Sequence, residues 1–166
     1  MADRANGLPE FPPDNELPAS LDGGPFTWRG ADVGVTATAF RVYSTGVFFT
    51  LIALSRGTSL QKEDPLDSWA GERGAYGEAD ERPAGSLRLG ARDAHMISHS
   101  AAHTEHRLHI DCWTPFSSDG DLVFYLEWPA EGIDYSEFRV PRSAAARAII
   151  LWPPDSLAER HRRWQK

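Results

Sequence analysis

Hydrophobic and polar residues alternate along much of the chain after residue 32. Three segments follow this period of two most clearly: Leu87 to Ala91, Leu108 to Cys112 and Leu122 to Trp128. Successive side chains of a β-strand point to opposite faces, so the alternation predicts half-buried strands. The β-branched and aromatic residues from Val33 to Tyr43 predict another strand, and Ser44-Thr45-Gly46 predicts the turn that follows it.

The segment from Val47 to Leu54 has large apolar side chains on both faces. A helix is the alternative, but its short length, its two adjacent phenylalanines and its threonine favour a strand. A strand that is apolar on both faces needs cover on both sides, so we expect it at the centre of a sheet. Shorter strands are predicted near Glu137 to Val140 and Ile149 to Trp152, with a helical turn between them at Ser143 to Ala148.

Six to eight short antiparallel strands without an internal repeat predict an all-β fold, an antiparallel β-sandwich. Residues 1–24 hold four prolines and are expected to form an extended Pro-rich arm. Residues 25–152 are the predicted sandwich domain, with a mobile acidic loop at 57–85. Residues 153–166 are expected to form a short C-terminal helix. The pair Asp119-Gly120 predicts a hairpin between the strands on either side of it.

The charge and the single cysteine exclude several classes of function. A net charge of -7 argues against nucleic acids and anionic membranes as partners, because both need a cationic surface. Cys112 is the only cysteine, so the chain forms no internal disulfide, and its alternation with Ile110 predicts an inward side chain. The first residues lack the apolar core of a secretory signal and no apolar run is long enough to span a bilayer, so we expect a cytoplasmic protein.

Histidines are concentrated in one short stretch. Five of the six fall within fifteen residues: His95, His99, His103, His106 and His109. Imidazole is a common ligand of zinc and nickel, and a helix would place most of these residues on one face. The adjoining strand pattern argues against that helix, and the spacing matches no established metal signature. Loop histidines without a ligand are the favoured interpretation, with a metal site and a pH-responsive surface as alternatives.

Two further groups of residues carry candidate chemistry. His109 and Asp111 share a face if their segment is a strand, which is the orienting half of a nucleophilic triad, although no Gly-x-Ser-x-Gly motif accompanies them. A polar pair on a solvated strand is the favoured interpretation. Exposed tryptophans would suggest a sugar-binding platform. We expect Trp28, Trp128 and Trp152 in the core, and the pattern leaves Trp113 open.

The segments Phe124 to Ile133, which contains Glu-Trp-Pro-Ala-Glu-Gly-Ile, and Ala144 to Trp152 resemble a group of small uncharacterised actinobacterial proteins. The Val42 to Val47 hairpin is similar to theirs, so the resemblance covers residues 33–152. It implies a bacterial source and an all-β fold and carries no activity. The tail from Pro153 and the histidine run depart from the pattern of the group.

Together these observations favour a non-enzymatic cytoplasmic β-sandwich that binds another protein or itself, through an exposed sheet face or the acidic loop. No catalytic residue is assigned. A zinc- or nickel-binding protein or a metal-dependent enzyme built on the clustered histidines is one alternative. A carbohydrate-binding module is the other.

Overall fold

A computed structural model describes residues 8–57, 59–60 and 85–152. Among these residues no helix is both long enough and apolar enough to cross a membrane. The described part of the chain contains two short 3-10 helices, at Pro129–Glu131 and Arg142–Arg147. The strands, in chain order, are β1 (Glu16–Leu17), β2 (Ala19–Ser20), β3 (Phe26–Arg29), β4 (Val33–Val42), β5 (Gly46–Ser55), β6 (Arg88–Ala91), β7 (Ile97–His103), β8 (Arg107–Pro115), β9 (Leu122–Trp128), β10 (Ile133–Val140) and β11 (Ile149–Ile150).

The strands pair antiparallel in two facing sheets and a small ribbon. The larger sheet has the order β2-β4-β5-β8-β7, with β3 also paired to β4. The smaller sheet has the order β10-β9-β6, and β1 pairs with β11 in the ribbon. The predicted all-β sandwich is therefore confirmed, and β5 lies centrally between β4 and β8 as its apolar faces predicted.

Aromatic side chains join the two sheets in the core. Phe138 of β10 stacks on Phe124 of β9 with ring centroids 5.0 Å apart, and it also contacts Phe26 at 4.8 Å. Phe124 meets Phe49 of β5 across the sheets at 5.1 Å. Burial of each such ring removes a large apolar surface from water, which stabilises the fold by about 1.5–3 kcal/mol per side chain.

Strand β4 contains a β-bulge. The register changes between Thr38 and Arg41, so that Ala39 and Phe40 together face one residue of β5. Ala39 adopts a left-handed backbone with φ 54° and is exposed. Before the bulge the odd-numbered residues face the core, and after it Phe40 and Val42 do.

The strands predicted from alternation are present. Differences occur in three places. The hairpin predicted at Asp119-Gly120 is wrong, because β8 belongs to the larger sheet and β9 to the smaller one, so the loop crosses between sheets. Residues 97–103, predicted as a loop, form strand β7. The predicted arm contributes strands β1 and β2. Most of the predicted acidic loop at 57–85, and the C-terminal helix predicted at 153–166, lie outside the described residues.

Candidate functional site

The larger sheet has one face against the core and a second that we call the outer face. Because β5 and β8 pair in register, the residues that point away from the core form rows across the two strands. One end is aromatic, the middle is polar and the other end has aliphatic side chains. From the aromatic end onward the pairs are Phe48 with Trp113, Thr50 with Asp111, Ile52 with His109, and Leu54 with Arg107.

The polar centre consists of Thr50, Ser100, His109 and Asp111. The Thr50 hydroxyl donates a hydrogen bond to Asp111 Oδ1 at 2.7 Å, and the Ser100 hydroxyl donates to Oδ2 at 2.7 Å. His109 Nε2 lies 3.4 Å from Oδ1. Both carboxylate oxygens are therefore held by neighbours on three different strands.

Asp111 remains ionised because of these neighbours. Partial burial by itself would raise the pKa of its carboxyl group. The hydrogen bonds from Ser100 and Thr50, together with His109, stabilise the charged form more strongly, so the pKa lies below its ordinary value. The polar centre thus places a fixed negative charge on the outer face.

The arrangement differs from a nucleophilic triad. In a triad the imidazole lies between the carboxylate and the hydroxyl and removes the hydroxyl proton. Here Asp111 lies in the middle, and Ser100 and Thr50 donate their protons to it. The prediction that His109 and Asp111 share a face is confirmed. Their contact is one of several that stabilise the ionised carboxylate of Asp111.

The aromatic end is covered by the segment Leu8 to Pro13, which we call the N-terminal strap. Trp113 Nε1 donates a hydrogen bond to the carbonyl of Pro9 at 2.8 Å. His99 Nε2 donates to the carbonyl of Glu10 at 3.0 Å, and the same imidazole meets the Phe11 ring edge-on at 4.8 Å. The strap is therefore fastened to the outer face by side chains of β7 and β8.

His99 reaches the outer face because of a second β-bulge. The register between β7 and β8 changes between Ser98 and Ser100, which leaves His99 as an extra residue. The ring then lies 5.9 Å from Phe48, and Ser100 pairs with Asp111. The bulge therefore positions His99, which donates a hydrogen bond to the strap, and Ser100, which donates one to Asp111 in the polar centre.

The remaining clustered histidines have separate contacts. His103 Nδ1 donates to the carbonyl of Leu60 at 3.3 Å, His106 lies 4.0 Å from a Glu105 oxygen, and His95 is exposed. Within residues 8–57, 59–60 and 85–152, no three His, Cys, Asp or Glu side chains are grouped to hold a metal ion. Zinc or nickel binding by His95, His99, His103, His106 and His109 stays a prediction.

The tryptophans that the structure describes are not exposed. Trp113 and Trp128 are fully buried, and Trp28 and Trp152 are half-buried. Trp28 Nε1 donates to the Ser136 hydroxyl at 2.6 Å, so its polar atom is also used within the fold. A sugar platform would have to use other aromatic side chains.

Two other surfaces carry exposed apolar groups. On the far side of the smaller sheet, Tyr125 and Tyr135 stack at 5.7 Å. On the ribbon, Leu17 is the register partner of Ile149, and both are at least half exposed. The tyrosine pair also borders a hydrogen-bonded charge, since the Tyr135 hydroxyl donates to Glu137 at 2.8 Å. Within the described residues, however, the docked strap lies on the outer face, so we take the outer face as the candidate site.

These features define an all-β sandwich whose larger sheet presents an outer face partly covered by its own N-terminal strap. No family model, curated protein or solved structure matches the chain. These comparisons leave the resemblance to the actinobacterial group as a prediction.

The sequence pattern predicted part of this site and missed the rest. It placed His109 and Asp111 together, but it did not identify Thr50, Ser100 or the strap. Thr50 carries a usable signal, because it is a polar residue in the middle of an otherwise apolar run from Val47 to Leu54. The partners of His99 and Trp113 are about 90 or more positions away in the chain and leave no local pattern.

Proposed function

We propose that this protein acts by binding another protein through the outer face of its larger sheet. The observation that carries the proposal is the composition of that face, in which half-exposed apolar side chains flank a fixed negative charge. Ile52 is half-buried and lies one row along the outer face from Asp111, and Leu54, which is 53% exposed, lies one row further on beside Arg107. Protein interfaces combine apolar or aromatic side chains with hydrogen-bonded polar groups.

The location of the outer face also supports binding. It belongs to the central strands β5 and β8, which pair with each other and, apart from the two bulges, with β4 and β7. The sheet holds the backbone of such strands in place, so a partner meets side chains on an ordered scaffold and less backbone entropy is lost on association. The cytoplasmic location expected from the sequence is part of the same proposal.

Leu54 and Tyr135 offer a matched pair of variants, because each is 53% exposed and they lie on different sheets. Tagged wild-type protein, Leu54→Asn and Tyr135→Asn would be incubated with lysate of the source organism, and captured proteins quantified by mass spectrometry. We expect one partner to be retained by wild type and by Tyr135→Asn and depleted about tenfold by Leu54→Asn, because truncation of an interface anchor costs on the order of 1–2 kcal/mol.

The partner found in this way would then be purified and its affinity measured for the three proteins by calorimetry. The same order of affinities supports binding through the outer face. If every captured protein is lost equally with Tyr135→Asn, or none responds to Leu54→Asn, the outer face is not the binding surface.

A further inference from the structure

We propose that the aromatic end of the outer face is a docking site for a proline-containing peptide of a partner protein, and that the N-terminal strap occupies this site within the same chain. This inference rests on the proposed function, since it names the chemistry of the partner for one end of the same face. It follows from how the strap is held.

The first part of the site is a slot for one carbonyl group. The Trp113 indole lies against Gly46, where an added Cβ would be 2.6 Å from the ring, and Tyr43 packs edge-on at 5.9 Å. The indole is completely buried, and its one polar atom, Nε1, is bonded to Pro9. A buried ring with a single directed donor is a built recognition element, because the donor loses its partner if the strap leaves.

The second part of the site binds the next carbonyl group along the strap. His99 Nε2 donates to the carbonyl of Glu10, and its ring lies between Phe11 and Phe48. The Arg41 guanidinium lies over the Phe48 ring, 4.2 Å from its centre. Two neighbouring backbone carbonyls are therefore read by two side-chain donors within an aromatic surface.

This mode of contact does not use β-strand pairing, and the strap bends at Leu8, Glu10 and Phe11. Residues 8–13 belong to no strand of the described structure, and Pro9, Pro12 and Pro13 lie within them. A proline-rich segment leaves many of its backbone carbonyls without internal hydrogen bonds, and proteins bind such segments in aromatic-lined grooves. The strap therefore shows the chemistry that the site accepts: prolines, an aromatic residue and free carbonyls.

A peptide of another protein is a better occupant than the strap of a second copy. A tethered segment acts at an effective concentration on the order of millimolar, so an identical strap from a second copy gains no contact and competes poorly. A different peptide can gain contacts that the strap does not make. The Phe11 side chain is 64% exposed and Leu8 is 43% exposed, so the strap leaves two large apolar side chains in solvent.

The test uses the full-length chain and a labelled synthetic peptide with the sequence of residues 8–14. Phe11→Ala removes the ring contact with His99 from the strap but not from the peptide, and an exposed side chain is lost without damage to the core. By fluorescence anisotropy, we expect Phe11→Ala to bind the peptide about tenfold more tightly than wild type, because the competing strap is weakened. A peptide with the same composition in scrambled order should not bind.

A second variant tests the aromatic end of the outer face itself. Phe11→Ala combined with Trp113→Phe keeps an aromatic ring in the slot and removes its donor, so we expect peptide binding to fall at least tenfold. Phe11→Ala combined with Tyr135→Ala is the control on the other sheet and should bind like Phe11→Ala alone. Circular dichroism melting would verify that all variants are folded.

Three results would overturn the inference. The first is the absence of peptide binding to folded Phe11→Ala at millimolar concentration, and the second is binding that is unchanged by Trp113→Phe. The third is a wild-type dimer by light scattering that becomes monomeric with Phe11→Ala, which would make the strap of a second copy the occupant. Failure of the peptide test leaves the effect of Leu54→Asn on partner capture unaffected, so the two proposals fail separately.

Discussion

Asp111 is the residue on which the polar centre of the outer face depends. Its two oxygens collect hydrogen bonds from β5 and β7, the strands on either side of its own. A hydrogen bond to a charged group contributes more than one between neutral groups, and it is also a tie between adjacent strands. The charge of this residue is therefore linked to the stability of the sheet.

We expect Asp111→Asn to lower the free energy of unfolding by about 1 kcal/mol at pH 7. The pKa of Asp111 is lower in the folded protein than the ordinary value of about 3.9. Its stabilising contribution is therefore complete above about pH 4 and is lost as the pH falls through the folded-state pKa.

Urea denaturation of both proteins between pH 3 and pH 7 measures this dependence. Asp134→Asn is the control, because Asp134 is exposed on β10 of the smaller sheet. A constant difference between wild type and Asp111→Asn across the whole pH range would show that the charge does not contribute.

Gly46 is a second residue with a specific task, because the Trp113 ring and the Thr114 carbonyl both approach it closely. An added Cβ would lie 2.6 Å from each of them, and the carbonyl belongs to the backbone of the paired strand. We expect Gly46→Ala to destabilise the protein by about 2 kcal/mol through overpacking, and to alter the near-ultraviolet circular dichroism of tryptophan.

Gly34 provides the comparison for this measurement, since it lies in a strand and has open space around its Cα. Gly34→Ala should be neutral or slightly stabilising. Equal losses for the two variants would mean that backbone freedom, and not the contact with Trp113, determines the effect.

At the scale of elements, period-two alternation predicted strands well because it reports directly which face of a strand is buried. It predicted β9 from Leu122 to Trp128 with its observed bounds. It missed β7, whose residues after Ile97 are mostly exposed on both faces and so show no contrast. It could not reveal the bulge at His99, because an extra residue is defined by the partner strand and not by the chain that contains it.

The ribbon of β1 and β11 is joined to the body by a buried carboxylate. Glu16 is only 7% exposed, and it accepts hydrogen bonds from the backbone nitrogen of Ser44 at 2.6 Å and from its hydroxyl at 2.8 Å. Arg142 donates to the carbonyl of the same serine at 2.7 Å. Ser44 lies in the β4–β5 turn, so one turn is tied to two distant segments.

We expect Glu16→Ala to cost about 2 kcal/mol, because it leaves the amide of Ser44 without its acceptor. Hydrogen exchange should accelerate more at Ser44 and at Leu17 than in the buried strand β9, whose amides respond only to the loss of global stability. The exposed neighbour Leu17 supplies the control, since Leu17→Ala should change stability by no more than about 0.5 kcal/mol. If exchange at Ser44 stays slow in Glu16→Ala, the carboxylate does not anchor the ribbon.

At the scale of the whole molecule, the assignment of strands to sheets lay beyond the sequence pattern. Alternation describes the two faces of a single strand and carries no information about its neighbours. For this reason the loop at Asp119-Gly120 was predicted to close a hairpin, whereas it crosses from one sheet to the other. The core residues could be predicted all the same, because the apolar positions of a strand face inward whichever of the two sheets the strand belongs to.

Cys112 reports on the opening of the entire sandwich. It lies in β8 against the core, and its burial, with a smaller effect of the Asp111 charge, raises the pKa of its thiol far above the ordinary value. A thiol must be accessible and ionised to react. We expect native protein to react with a disulfide reagent at least a hundredfold more slowly than urea-unfolded protein.

Ala146→Cys introduces an exposed thiol as the control, and this variant should show one fast and one slow reaction. The slow rate should rise with urea in parallel with global unfolding. Fast labelling of Cys112 in native protein would contradict a close-packed central strand.

The bulge in β4 has a consequence for how the chain tolerates changes of length. If Ala39 is deleted, Thr38 and Phe40 become consecutive and the ladder to β5 closes without turning any side chain over, since Ala39 has no counterpart of its own. Loss of a residue between Val33 and Ala37 instead reverses inside and outside for every position up to the bulge. Related proteins in which β4 is one residue shorter should therefore lack the residue that corresponds to Ala39.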